Sequence, residues 1–241
     1  MRPLGIDLAS LPARTAACSV RWSTSGAEVE GIEQGVTDER LEEEIQRHDK
    51  VGIDVPLGWP DAFVTAIAAH HAGAGWRTAG LRELRFRRTD LHVLDEVGWW
   101  PLSVSTDLIA VPALRAAALL DRVVPGADRS GEGLVVEVYP AAALKRWGFV
   151  SRGYKRAKGA AVRAGLVESF RQATAEWLHV PAVCWDRCVS SDDAFDALVA
   201  ALVARAAALK LCDPCPTEAR AVAGREGWIA LPDADGLHRL T

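Results

Sequence analysis

The sequence lacks any long apolar run. Its opening residues, MRPLGIDLAS, are interrupted by Asp7 and contain no apolar core of the kind found in signal peptides. No later stretch reaches the roughly 18 apolar residues that a transmembrane helix needs. We therefore expect neither secretion nor membrane insertion.

Cysteine is also scarce, with five residues in a chain of 241. Their odd number and irregular spacing argue against a disulfide framework and favour reduced thiols in the cytoplasm. Four of them form two short pairs, Cys184 with Cys188 and Cys212 with Cys215. A predicted helix over 191–210 would separate the pairs by roughly 30 Å, which is too far for one tetrahedral zinc site.

Several catalytic signatures are missing as well. The sequence contains no GxxxxGK[ST], GxGxxG, GxSxG or HExxH pattern, so the simple phosphate-loop, dinucleotide-binding, serine-hydrolase and zincin assignments are not indicated. It has no internal repeat and no low-complexity tail. A hydrophobic content of 49% is enough to build a full core. We expect one domain spanning 1–241.

Charge is distributed unevenly. The net charge of −4 argues against a protein that coats nucleic acid by bulk electrostatics. Between Glu137 and Glu168, however, the chain has basic residues and no acidic ones. A second basic cluster comprises Arg77, Arg82, Arg85, Arg87 and Arg88. Such runs are usually solvated surface, but beside acidic motifs they also predict contact with phosphate.

The apolar pattern predicts a sheet covered by helices. Strands are expected at 4–8, 15–22, 29–36, 51–55 and 134–139, and 228–231 is a further short candidate. Helices are expected at 38–47, 160–178 and 191–210, and residues 61–130 read as a mainly helical insertion. This order predicts an α/β fold with a central mixed five-stranded sheet. It combines a three-stranded antiparallel meander with two parallel strands and has helices on both faces.

Two aspartates occupy equivalent positions in predicted strands. Asp7 follows Gly5-Ile6, and Asp54 follows Gly52-Ile53. A carboxylate in such an apolar run costs several kcal/mol to bury unless it is paired, hydrogen-bonded or bound to a metal. One such aspartate would most simply accept backbone N–H groups at a strand end. Two of them in equivalent positions require a common explanation.

Asp193 and Asp196 lie at the start of the longest predicted helix, in the segment DDAFDALVAAL. Residues at positions i and i+3 share one helical face, so both carboxylates can point to one place. A capping box formed by Ser190 and Asp193, together with the helix dipole, explains the first-turn acids without a functional role. It does not explain Asp196, which lies deeper in the helix among apolar residues.

These motifs resemble the ribonuclease H-like nucleases, and within them the domain-of-unknown-function 429 family of predicted nucleases. The resemblance covers nearly the whole chain. It is carried by GID near the start, GIDVPLGWP from 52, RRTD from 87, VEVYPAAAL from 136 and DDAFDALVAAL from 192. It implies a fold whose central first strand carries an acid, whose fourth strand carries a second beside it, and whose late helix supplies one or two more. Those residues are Asp7, Asp54, Asp193 and Asp196.

The implied activity is hydrolysis of phosphodiester bonds in DNA or RNA with two Mg²⁺ or Mn²⁺ ions, for which these four aspartates are the ligands. Two ions about 3.5–4 Å apart activate water and neutralise the leaving oxygen, and hard oxygen ligands suit both metals. One departure is Asp54, where Holliday-junction resolvases of this fold have a glutamate. Glu137 would be a further ligand or a base that orients water, unless it pairs with Arg88 or Lys155.

Cationic and aromatic residues complete the predicted site. Arg88, Tyr154, Lys155 and Arg156 are predicted to bind the substrate, because Arg and Lys can hold a phosphate or stabilise transition-state charge. Tryptophans such as Trp59, Trp76, Trp99 and Trp100 can stack nucleobases, although most are expected in the core.

Two other functions stay open. One is a nucleotide-binding ATPase or kinase relative of the same fold, which would usually have two copies of the fold and a Gly-rich turn after the first aspartate. Here Leu8-Ala9-Ser10 follows Asp7. The other is a non-catalytic binding protein that keeps the acids for stability.

Overall fold

The sheet has six strands in the part of the chain that the structure describes. A computed structural model describes residues 1–76 and 80–241. The strands are β1 Pro3–Asp7, β2 Ala16–Ser23, β3 Gly26–Gln34, β4 Lys50–Asp54, β5 Val135–Glu137 and β6 Leu178–His179. They lie in the order β5-β4-β1-β2-β3-β6. Because β1, β4 and β5 are parallel while β1, β2 and β3 are antiparallel, the sheet is mixed, as predicted.

The sixth strand corrects the prediction of five. β6 pairs in parallel with β3, and the Ala27 N–H donates to Trp177 O at 2.8 Å. A two-residue strand has no alternation that a sequence pattern could reveal. The candidate strand at 228–231 forms only an isolated bridge between Ile229 and Glu137.

Helices cover both faces of the sheet. They are α1 Asp38–Arg47, α2 Asp61–His71, α3 Leu81–Arg85, α4 Arg88–Val97, α5 Ala110–Val123, α6 Pro140–Arg146, α7 Ala160–Thr174, α8 Ala182–Ser190, α9 Asp192–Ala208 and α10 Arg220–Glu226. The segment predicted as a helical insertion contains α2 to α5. Among the helices that the structure describes, none is long and apolar enough to cross a bilayer.

Two apolar layers hold the helices on the sheet. On one face, Leu4 and Ile6 of β1 belong to a buried cluster with Leu41 and Ile45 of α1 and with part of α5. On the other face lies α9, which is buried from Ala194 to Ala204 and packs among the sheet, α7 and α8. A helix that is apolar all round belongs in a core. The position of α9 relative to the strands is therefore tightly constrained.

Helix caps agree only partly with the sequence pattern. Thr37, directly before the predicted helix at 38–47, caps α1 by accepting from the Arg40 N–H at 3.4 Å. The predicted capping box at Ser190 is wrong, because Ser190 ends α8 and donates its hydroxyl to Arg187 O at 3.0 Å. The cap of α9 is Ser191, whose Oγ accepts from the Ala194 N–H at 3.3 Å.

Candidate metal centre

β1 and β4 place two aspartates side by side. The strands pair in parallel, with Asp7 opposite Asp54 and Gly5 opposite Gly52. Residues two apart in a strand lie on the same face. Both aspartates therefore share the face of the two glycines, which is the face that α9 covers.

The glycines let α9 approach the sheet closely. A Cβ at Gly5 would lie 2.0 Å from Ala197 O, and one at Gly52 would lie 2.5 Å from Ala200 O. Any larger residue at either position would push the helix away from the sheet. The close approach brings Asp196, in the second turn of α9, to the paired aspartates.

Asp7, Asp54 and Asp196 form an acidic triad. One carboxylate oxygen from each residue lies within 4.8 Å of the others. The Asp196 side chain is only 1% exposed, whereas that of Asp54 is 19% exposed, so the triad is reached from one side. Burial raises the pKa of all three carboxyls, that of Asp54 to about 7. Repulsion from Asp54 and Asp196 raises the pKa of Asp7 further, and repulsion from Asp196 adds to the shift of Asp54. Such crowded negative charge is unfavourable without a cation.

Lys155 and Tyr154 hold the triad together. The Lys155 Nζ lies 2.7 Å from Asp196 Oδ2 and 3.9 Å from Asp54 Oδ2. Tyr154 is buried and donates its hydroxyl to Asp196 Oδ1 at 2.7 Å. The Lys155 side chain is 46% exposed, so solvent weakens its ion pairs. Both residues, predicted from the sequence to bind substrate, therefore contact the triad.

Asp193, the fourth predicted ligand, has a different partner. Arg14 donates to it from Nε at 2.8 Å and from Nη2 at 2.9 Å, which makes a bidentate ion pair. Arg14 ends the short 3₁₀ turn Pro12–Arg14 after β1, and its side chain is 59% exposed. Asp193 is close enough for its charge to add, after burial and nearer charges, to the raised pKa of Asp7. The structure thus places Asp193 beside the triad but not in it.

Glu137 belongs to a separate buried ion cluster. Its carboxylate accepts from Arg87 Nη1 at 2.8 Å and from Nη2 at 2.7 Å, and Arg87 also donates to Asp90 Oδ1 at 3.0 Å. The sequence-based alternative that Glu137 pairs with Arg88 or Lys155 is wrong, because its partner is Arg87. Glu137 nevertheless lines the same cleft as Asp7 and Asp54, and its charge contributes to the raised pKa of Asp54.

Asp7 and Asp54 line a cleft with a volume of about 520 Å³. Aromatic and apolar side chains form much of its wall, including Trp99, Trp100, Pro101, Leu102, Ile109 and Tyr139. Lys155 and Arg152 add cationic groups. A larger cleft of about 790 Å³ lies beside β3 and β6 at the other edge of the sheet and includes no triad residue. The smaller cleft is therefore the one that leads to the acids.

The basic interval 145–163 does not form one uniform surface. Arg163 is buried and donates to Tyr154 O at 2.8 Å, so it supports the loop that carries the triad contacts. Arg156 is exposed and lies outside the cleft lining, and the same holds for Arg88. Arg77, in the second basic cluster, lies outside the described residues. The predicted substrate contacts thus separate into groups at the triad and groups on the surface.

Arg87 and Arg14 lie near the site but were not predicted as site residues. Arg87 had a readable signal, because Asp90 follows three residues later and accepts the Arg87 backbone N–H at 2.8 Å, as at many helix starts. Arg14 had none, since its partner Asp193 is distant in the sequence. Long-range ion pairs leave no local pattern.

The triad suits a hard divalent cation. Three carboxylates supply the oxygen donors that Mg²⁺ and Mn²⁺ prefer. Asp196 Oδ2 is buried and receives no well-aligned hydrogen bond from the described residues, although the Lys155 ammonium lies beside it. A cation at this place would relieve the repulsion that helps to raise the carboxyl pKa values.

A family model described as "Protein of unknown function (DUF429)" matches residues 5–221. The matched region contains the triad, its lysine and all of α9. Comparison with curated proteins and with solved structures gave no match. Because the family model covers most of the chain, the protein belongs to the DUF429 family.

Proposed function

We propose that the protein is a divalent-metal-dependent nuclease with a ribonuclease H-like fold, which hydrolyses phosphodiester bonds of DNA or RNA. The observation that carries this proposal is the acidic triad, whose carboxylate oxygens lie within 4.8 Å of one another. The topology supports it, because a central first strand, the fourth strand beside it and a late helix each supply one acid.

The residues around the triad have distinct roles in this proposal. A bound Mg²⁺ or Mn²⁺ would supply the positive charge that polarises a phosphoryl oxygen. Asp7, Asp54 and Asp196 would hold the ion, and Tyr154 keeps Asp196 oriented through its 2.7 Å hydrogen bond. The Lys155 ammonium is exposed enough to leave Asp196 and contact a phosphate oxygen.

A two-ion mechanism requires a further carboxylate. Asp193 is the candidate, but its bidentate pair with Arg14 has to open first. The Arg14 guanidinium would then be available to a phosphate, which it can contact through two parallel hydrogen bonds. Opening this ion pair would thus free Asp193 to bind a second metal ion and Arg14 to contact a phosphate.

The proposal is tested with Asp7→Asn. We expect the variant to fold, to lose metal-dependent hydrolysis of labelled DNA and RNA, and to lose the rise in melting temperature that Mn²⁺ produces in the wild type. The reason is that ligand binding stabilises the native state by mass action. Asp95→Asn, at an exposed position of α4, is the matched control. A Mn²⁺ shift that survives in Asp7→Asn would place the metal elsewhere and contradict the proposal.

Calorimetry separates the other two functions. Titration of the wild type with Mn²⁺, then with ATP in the presence of Mn²⁺, distinguishes them by which ligand binds. Tight nucleotide binding without strand hydrolysis would favour an ATPase or kinase relative. Absence of heat with either ligand would favour a non-catalytic protein whose acids serve stability.

A further inference from the structure

The cleft that leads to the triad has an aromatic wall as well as an acidic base. Trp100 lines it and is 42% exposed. Phe86 stacks on Trp100 with ring centroids 4.1 Å apart and an interplanar angle of 29°. Trp100 is thus a supported, accessible aromatic surface inside the cleft.

Cations surround the aromatic wall. The guanidinium of Arg82 lies 5.3 Å from the centre of the Trp100 ring. Arg152 lies 4.2 Å from the ring of Trp99, and the Trp99 indole N–H donates to the Tyr139 hydroxyl at 3.3 Å. A ligand in this cleft therefore meets stacking surfaces and positive charge together. That pairing complements a flat base attached to a phosphate.

We infer that the cleft binds one unpaired nucleotide of a single-stranded nucleic acid, with its base stacked on Trp100 and its phosphate at Lys155. The inference deepens the proposed function and rests on it, because the proposed nuclease reaction is what brings a phosphate to the triad. The cleft, with about 520 Å³, has the size of a site that encloses a small ligand.

A duplex fits this cleft poorly. Away from the duplex ends, its bases are paired and stacked on both sides, so none presents a free face to Trp100 unless it is first unstacked. An unpaired base does not have to be separated from a pairing partner first. Stacking of a base outweighs an exposed cation–π contact, so the base would take the place of Arg82, whose exposed side chain can turn to the backbone phosphates.

The test compares the binding of four labelled ligands by fluorescence anisotropy, with Ca²⁺ as the divalent cation. The ligands are a single strand, its duplex, an abasic strand of the same length and the free nucleoside monophosphate. We expect the wild type to prefer the single strand over the other three. Trp100→Ala should weaken single-strand binding roughly 5- to 150-fold, the loss of one stacked base, and leave the abasic strand unaffected.

Two further variants keep the result interpretable. Trp100→Phe retains an aromatic ring and should restore most of the affinity. Trp76→Ala removes a tryptophan that is exposed outside the cleft and should change nothing. Equal binding of duplex and single strand, equal binding of the monophosphate, or an unaffected Trp100→Ala would each overturn the inference.

Hydrolysis of the same strands in Mn²⁺ separates this inference from the proposed function. A wild type that binds single strands through Trp100 but cuts none would support the inference and contradict the nuclease. A wild type that cuts duplex and single strand alike, with Trp100→Ala unaffected, would support the nuclease and contradict the single-strand inference.

Discussion

Replacing Asp54 by asparagine should stabilise the metal-free protein at high pH. Burial, which outweighs the opposing charge of Lys155, raises the pKa of Asp54 from 3.8 to about 7. Between these values the folded state retains a proton that the unfolded state releases. Stability therefore falls as the pH rises through this window, and the loss is complete above about pH 7. Asparagine has no charge to desolvate, so it avoids the loss.

The size of the effect follows from the pKa shift. A change from 3.8 to about 7 corresponds to about 4 kcal/mol at most, since each pKa unit is worth about 1.4 kcal/mol. Asparagine also gives up the Lys155 ion pair at 3.9 Å, which reduces the gain. We expect a net gain of about 1–3 kcal/mol, or a rise of roughly 2–12 °C in Tm for a domain of this size.

The assay is thermal unfolding of both proteins in EDTA at pH 4, 6 and 8. The difference in Tm should be small at pH 4 and largest at pH 8. With saturating Mn²⁺ the order should reverse, because the variant lacks one ligand of the triad. Asp95→Asn, at an exposed position, should show none of this dependence. An Asp54→Asn protein that is less stable than the wild type at pH 8 in EDTA would refute the reasoning.

Three further predictions concern the surroundings of the triad. The double variant Lys155→Ala, Arg156→Ala should bind all nucleic-acid sequences more weakly and to the same extent, and the slope of log affinity against log salt should fall by about one to two units. An unchanged slope would show that these residues are ordinary solvated surface and do not contact phosphate. Metal binding should survive, since neither residue is a ligand. Arg87→Ala should cost about 3–5 kcal/mol in urea unfolding, because it leaves buried carboxylates without their cation, and a cost below about 1 kcal/mol would contradict that account. Gly5→Ala should destabilise the fold by about 1–3 kcal/mol or more and weaken Mn²⁺ binding, because its Cβ would meet the backbone of α9. Gly31→Ala, which has open space around its Cβ, should do neither.

The sequence predicted the parts of the site that depend on local burial. Asp7 and Asp54 were recognisable because an acid in an apolar strand needs compensation, and Asp196 because it lies among buried residues in the interior of a helix. The apolar runs and their order along the chain likewise predicted the mixed sheet and the long helix. These signals are local, so they can be read from the chain alone.

Other parts depend on contacts between distant residues. Asp193 shares a helical face with Asp196, yet its carboxylate pairs with Arg14, and no spacing rule encodes that partner. In the pair Arg87-Arg88 the sequence does not show which side chain turns inward, and the structure buries the first. β6 was missed because a two-residue strand depends on its neighbour β3 rather than on its own pattern.

The spread of the triad along the chain makes its assembly a late event in folding. Its residues come from the first strand, the fourth strand and the last long helix, so the site forms only after α9 has docked on Gly5 and Gly52. During synthesis, the chain would emerge with two of its three acids in place and acquire the third near the end. Assembly of the triad would therefore report that α9 has docked on the sheet, and a nascent fragment without α9 would lack the third carboxylate.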